Sequence, residues 1–199
     1  MRDVVERWGR QRWPDARVVH ELVVAEKRID MAFVGRHELN GVEIKSSKDR
    51  LGRLDEQMAV FRRHIPMVWL AVAPKWAEQT AIMDRLVCTA DEIVTGPGGF
   101  VSENWRVYPA MLDLLWADEA RALASRHRVS YGPRTPCYKL LPELARLLTG
   151  DEIVEGVCRE LRARDAFWKA DPPICLDELE GRLEQKLPGL RQAKLPGLS

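Results

Sequence analysis

Asp30, Glu43 and Lys45 have the residue types and spacing to hold a hard cation beside an ammonium group. Glu43 and Lys45 lie two apart in GVEIKSS (41–47), which reads as a strand, so both project from one face while Val42 and Ile44 supply the other, buried face. Asp30 lies in RIDMAFVG (28–35), where Ile29, Met31 and Phe33 alternate against Asp30, Ala32 and Val34. If the two strands pair through the polar turn RHELNG, Asp30 approaches Glu43 on the same face. Two carboxylates converging beside a lysine suit Mg²⁺, which takes oxygen ligands and keeps several waters. Such an ion polarises a phosphodiester and lowers the pKa of a bound water, while Lys45 orients or deprotonates that water and stabilises negative charge. E-x-K alone also describes a solvated strand face; the upstream Asp at matching parity favours the chemical reading. On a polar strand face Lys45 should matter little to folding.

The elements that would position these residues follow from periodicity. Residues 2–13 read as a short helix with Val4, Val5 and Trp8 on one face and Pro14 as its stop. RVVHELVV (17–24) is β-rich, and with 28–35 and 41–47 it predicts an antiparallel meander. A helix over about 49–64 carries the stripe Leu51, Leu54, Met58 and Phe61 and ends before Pro66. On its flank Arg50, Arg53 and Gln57 fall in line, following directly from the strand that bears Glu43 and Lys45. MVWLAVA (67–73) reads as a central strand buried on both faces, with Trp69 in the core. A helix over 76–87, a strand at 92–95 and the GPGG turn at 96–99 follow. Beyond it 108–127, 137–149 and 151–169 read as helices, the Gly150–Asp151 junction stopping one and capping the next. Trp116 is expected to be buried between the two parts. The expected organisation is an α/β core over 1–99, a mixed sheet flanked by helices, then a helical subdomain over 100–170. A poorly ordered tail over 171–199 contains KLPGL twice.

Composition narrows the class. The longest apolar run, Met67 to Ala73, is too short to span a bilayer, and five arginines among the first twenty residues do not suit a secretory leader. No membrane partner and a cytoplasmic address are the expectation. Cys88, Cys137, Cys158 and Cys175 form no C-x-x-C pair, and His20, His37, His64 and His127 do not fall at ligand spacing beside them. A zinc site or disulfide framework is therefore not expected. Net charge is +1, yet residues 44–65 hold six basic side chains against three acids, and 121–139 hold five with no acid. Such runs are often solvated helix faces, and they can also bind phosphate locally.

EIKSSKDRLGRLDEQMAVF resembles the PD-(D/E)XK nuclease superfamily, and within it a bacterial and phage subfamily reading E-I-K-S-x-x-D-x-L-x-R-L-x-x-Q. Glu43, Ile44, Lys45, Ser46, Asp49, Leu51, Arg53, Leu54 and Gln57 carry the match. The subfamily's L-L-W and L-x-x-R features fall on Leu114, Leu115 and Trp116 and on Leu161 and Arg164. The resemblance implies a restriction-endonuclease-like sheet and a deoxyribonuclease that uses Mg²⁺, with Mn²⁺ able to substitute. It assigns Asp30 and Glu43 as metal carboxylates, Lys45 as the catalytic lysine, and the Ile44 carbonyl as a further ligand. Glu21 matches an upstream acid that can complete the shell and reads equally as an exposed strand acid. Gln57 matches a glutamine near the site, and Arg50, Arg53 and Ser46 are candidates for substrate contact. Ile29 replaces the usual Pro, and Phe61 stands where some relatives carry Tyr. DNA is the expected partner, with a homodimer or protein partner held by the helical part. The rival expectation is a non-catalytic nuclease-fold protein that binds DNA or regulates.

Overall fold

A computed structural model describes residues 1–80, 85–89, 91–95, 100–101, 107–132 and 134–174. The GPGG turn, Cys175 and both KLPGL units lie outside the described residues. The elements run α1 (Arg2–Arg12), β1 (Arg17–Val24), β2 (Lys27–Val34), β3 (Leu39–Lys45), α2 (Leu54–His64), β4 (Met67–Val72), β5 (Arg85–Cys88), β6 (Ile93–Thr95) and β7 (Phe100–Val101). Then come α3 (Val107–Met111), α4 (Ala117–Arg126), α5 (Cys137–Leu147), α6 (Gly150–Ala163) and β8 (Lys169–Ala170). Short 3₁₀ turns occupy Pro74–Trp76 and Leu112–Leu114. The sheet order is β6-β5-β4-β3-β2-β1-β8, with β7 pairing β4 off this path. β1, β2 and β3 form the antiparallel meander, whereas β4 runs parallel to β3 and β5 parallel to β4. It is a mixed α/β architecture, a mixed sheet between helices with further helices in the C-terminal part.

Two apolar layers sandwich the sheet. β4 shows why its sequence has no polar position: Val68, Leu70 and Val72 join the layer under α2, while Trp69 and Ala71 join the layer under α1. On the α1 side Trp8 and Trp13 meet the Trp69 ring edge-on, with centroids 4.9 and 5.9 Å away. On the other side the helices of the C-terminal part bury Leu123, Leu144, Ile153, Val157 and Leu161 in the same layer as Met58 and Phe61 of α2. Arg17, 2% exposed, stitches this layer to β1 by donating to the Leu161 and Arg162 carbonyls in the last turn of α6 and to the Arg164 carbonyl just past it. Orphan carbonyls at a helix end need such donors.

Several expectations are corrected. The segment 76–87 is not one helix: a 3₁₀ turn at Pro74–Trp76 comes first, and 85–88 forms β5, burying Leu86 and Cys88 beside β4. Pairing with a buried parallel neighbour overrides the local helical spacing. α2 starts at Leu54 rather than 49, because Asp49 accepts from the Ser46 amide and hydroxyl and ties residues 46–49 into a turn. α6 ends at Ala163 and is capped by Thr149 rather than Asp151, in a reciprocal box in which Glu152 accepts from the Thr149 amide at 2.8 Å. Trp116 is 52% exposed rather than buried. It precedes the first turn of α4 and lies under the Arg164 guanidinium, 4.4 Å from its ring centroid, so a cation rather than an apolar layer covers it. Among the described residues Cys88, Cys137 and Cys158 are free thiols, and no helix is long and apolar enough to cross a membrane.

Candidate functional site

β3 carries Glu43 and Lys45 at its C-terminal end. The β2–β3 partners run from Val34↔Leu39 to Met31↔Val42, so Asp30 arrives opposite Glu43 as the backbone ladder ends. There the Ile44 amide donates to Asp30 Oδ2 at 2.8 Å. In an extended strand the N–H and C=O of one residue project to the same side, so the Ile44 carbonyl also faces Asp30.

The alternation expected for β2 breaks at this point. Ala32 and Val34 pack under α2, Met31 and Phe33 under α1, yet Ile29 packs under α2. β1 breaks in step: Val19, Leu22 and Val24 lie under α2, and between them Glu21 has φ 55°. The partners His20↔Met31 and Leu22↔Ile29 keep one register, so Glu21 falls opposite Asp30 and no residue is inserted. Both strands turn over at one rank, which frees the two acids from the apolar layers. Left-handed backbone at a non-glycine residue is strained, and such strain persists where surrounding structure fixes it.

Glu43 and Lys45 do not lie on a solvated face. They are 2% and 8% exposed, on the side that α2 covers. The Lys45 ammonium donates to Glu43 Oε1 at 2.5 Å and to Gln57 Oε1 of α2 at 2.9 Å. Glu43 Oε2 is buried without a hydrogen-bond partner. Burial, followed by the neighbouring Asp30 charge, pushes the Glu43 carboxyl up to about 7 against the pull of Lys45. Burial also raises Asp30, opposed first by the Ile44 amide and then by Arg2. At both carboxylates burial outweighs the neighbouring cation.

The donor set fits a hard cation. Among the described residues no three His, Cys, Asp or Glu side chains form a ready-made metal cluster. Asp30, Glu43 and the Ile44 carbonyl instead make an all-oxygen set, and Mg²⁺ is commonly held by one or two carboxylates with water and substrate completing its shell. The unpartnered Glu43 Oε2 is the atom such an ion would satisfy. Glu21 is engaged elsewhere, 3.5 Å from Arg2 and 3.8 Å from Arg28.

Beyond Lys45 opens a cleft of about 590 Å³ lined by Lys27, Lys48, Arg50, Arg53 and Gln57, with Asp49 as its acid. Arg50 and Arg53 line it from the turn before α2 rather than from the helix itself. Ser46 is placed differently: its hydroxyl is committed to Asp49 and its carbonyl accepts from Trp76 Nε1 at 2.8 Å. A second cleft, about 530 Å³, lies at the opposite end of β3 and β4, beside Leu39 and Met67. Its acids Glu38, Asp151, Glu152 and Glu155 make it a poor seat for phosphate. Sequence reasoning missed Arg2, whose Nη2 donates to Asp30 Oδ1 at 2.8 Å. Nothing in an arginine near the start of an amphipathic helix marks it for that contact.

Residues 3–87 match the family described as bacteriophage P4 protein cII, less than half of the chain but including Glu21, Asp30, Glu43, Lys45 and Gln57. Protein cII of Enterobacteria phage P4 is 36% identical over 69 residues, 34% of this chain. The match covers 26% of the length of that protein. Among solved structures, SPO1766, a protein of unknown function from Silicibacter pomeroyi, superposes with a TM-score of 0.36 at 19% identity. That superposition covers 59% of this chain and 84% of that one, and is too loose to bear on fold or chemistry.

Proposed function

We propose that this chain is a Mg²⁺-dependent nuclease of the PD-(D/E)XK kind that hydrolyses phosphodiester bonds in DNA. The observation that carries the reading is the buried, unpartnered Glu43 Oε2 beside Asp30 and Lys45, at the inner end of a basic cleft. Asp30, Glu43 and the Ile44 carbonyl hold the ion, which when bound supplies charge neutralisation and polarisation of the scissile phosphate. Gln57 and Glu43 fix the Lys45 ammonium, so it is preorganised to orient the attacking water and meet charge developing on the phosphoryl oxygens. The water oxygen bonds to phosphorus and gives its proton to solvent, while the phosphorus bond to the sugar oxygen breaks and that oxygen leaves with the electron pair and takes a proton from solvent. Lys48, Arg50 and Arg53 take the flanking phosphates, which positions the strand without reading its sequence, while the Lys27 ammonium is held by Glu56 at 2.6 Å. A surface of this charge in a near-neutral chain concentrates polyanion contact on one face.

The test is incubation of the pure protein with supercoiled plasmid, single-stranded DNA and RNA, with Mg²⁺, Mn²⁺ or EDTA. Wild type should cut DNA only with metal, and Asp30→Asn and Lys45→Met should not cut. Excess Mn²⁺ should partly restore Asp30→Asn alone. DNA binding without cleavage under every metal condition would instead establish the non-catalytic reading.

A further inference from the structure

Arg2 sits where a second positive charge reaches the carboxylates. Its Nη2 lies 2.8 Å from Asp30 Oδ1 and 3.5 Å from Glu21 Oε1, bridging β1 and β2 from the first turn of α1. Asp30 thus has one oxygen on the Ile44 amide and the other on a guanidinium. Glu21 reaches Arg2 from a strand position opposite Asp30 at which it holds φ 55°. The Arg2 side chain is 36% exposed, so it has open space into which to withdraw. α1 itself is fixed independently of this contact: Val4 and Val5 are buried, and the Trp8–Trp69 contact sits further along the helix.

We infer that Arg2 is an internal counter-cation that competes with the divalent metal for Asp30, so that metal loading requires its guanidinium to leave the carboxylates. The inference rests on the metal-site reading above. The physics is direct: a fixed positive charge within hydrogen-bonding distance of a ligand oxygen repels an incoming dication and already occupies one of that oxygen's acceptor sites. Lys45 differs in kind, because it is pinned between Glu43 and Gln57 and is held at the site whether or not a metal arrives. Arg2 has no such second anchor inside the site beyond Glu21, and it is the cation that can yield. Glu21 then acts as the landing point that keeps the displaced guanidinium nearby, which gives the strained residue a role other than metal ligation. By this account Glu21 sets metal affinity through Arg2.

The test is Mn²⁺ titration of tag-free protein by calorimetry, with bound Mn²⁺ counted by electron paramagnetic resonance. Wild type, Arg2→Gln, Arg2→Lys and Asp30→Asn are compared. Arg2→Gln should bind Mn²⁺ about tenfold more tightly than wild type or better, a change of about 1.4 kcal/mol. Arg2→Lys, which keeps the charge, should stay close to wild type, and Asp30→Asn should lose the site. Circular dichroism should report the same helix content in all four. If Arg2→Gln binds Mn²⁺ equally or more weakly while Asp30→Asn still abolishes binding, Arg2 is a structural tie and the inference is overturned, with the metal reading intact. If neither wild type nor Arg2→Gln binds Mn²⁺ at a site that depends on Asp30, both fall together.

Discussion

Replacing Lys45 with Met tests whether the lysine belongs to a buried ion pair or to a solvated strand face. A lysine on a solvated face would cost within about 0.5 kcal/mol when truncated. Here the Lys45 and Glu43 side chains are 11% and 3% exposed and meet at 2.5 Å. Methionine fills the aliphatic volume but leaves Glu43 charged, buried and without the cation that pairs with it, its Oε2 already unpartnered. Removing one member of a buried pair costs about 3–5 kcal/mol. Residual exposure of Lys45 and the option for Glu43 to take up a proton bring this to roughly 2–3 kcal/mol at about pH 8. For a chain of this size that is a fall in Tm of roughly 4–12 °C. The pH dependence has a fixed sign. The Glu43 carboxyl is already raised to about 7, and losing Lys45 raises it further. A raised acid binds its proton more tightly in the folded state, so the penalty is full above the folded pKa and fades as pH falls through it. The difference between wild type and Lys45→Met should therefore shrink to within about 1 kcal/mol near pH 5.5. Urea and thermal unfolding of wild type, Lys45→Met, Glu43→Gln and the double variant at both pH values measure this. The double variant should recover at least about 1 kcal/mol relative to additivity. A Lys45→Met protein as stable as wild type at high pH, an equal loss at both pH values, or strict additivity would each refute the buried-pair argument.

Other outcomes follow from the same contacts. Mn²⁺ should raise Tm more at about pH 8 than at about pH 6, since at the lower pH the ion must displace the Glu43 proton; equal shifts would count against Glu43 as a ligand. Gly9→Ala should destabilise despite the usual gain from alanine in a helix, because a Cβ there overlaps the buried Phe33 ring; thermal unfolding should show a loss of about 1–3 kcal/mol. Arg164→Met should lower stability by about 3 kcal/mol or more in urea unfolding, as it strips Glu119 and the Leu114 carbonyl of a donor at 2.5–2.8 Å. Thr149→Ala should cost about 1 kcal/mol in the same assay by opening the cap of α6.

The strands and the pairing of the meander were legible because alternation and continuous apolar runs are local signals, and β1 to β4 show them strongly. The candidate site was legible as a set of residue types at strand spacing, and Asp30 does reach β3 beside Glu43. Its environment was not. Whether the Glu43–Lys45 face meets water depends on where α2 goes, and α2 is the crossover between parallel strands, which places it over the sheet. Reading β3 and β4 as parallel from the intervening helix would have predicted a buried pair and a structural cost for losing Lys45. The turnover at Glu21 and Asp30 had no such signal, since Ile29 alternates normally with Met31 and only packing reveals the change of side. β5 was misread because a buried strand and a short helix share the same apolar spacing at this length.

The position of the site follows from strand direction. β3 and β4 run parallel and both end beside the cleft, where Lys45 pairs with Val72 and the Ala73 amide donates to the Lys45 carbonyl at 2.8 Å. In open sheets with parallel strands, ligands bind outside the carboxyl ends of the strands, because loops there are free to diverge and leave a crevice. At this end the chain leaves β3 through the turn of Ser46–Asp49, which brings Lys48, Arg50 and Arg53 to the crevice before α2 begins. At the opposite end the first turn of α6 brings Asp151 and Glu152 to the sheet instead, with Glu155 on the next turn. Acids in the first turn of a helix are favoured by its dipole, so that polarity follows from α6 forming at all. The two ends of the same pair of strands therefore carry opposite charge for local reasons. On the function proposed above, a polyanion would be repelled at the Glu38 and Asp151 end and drawn to Lys45, Glu43 and Asp30 at the other.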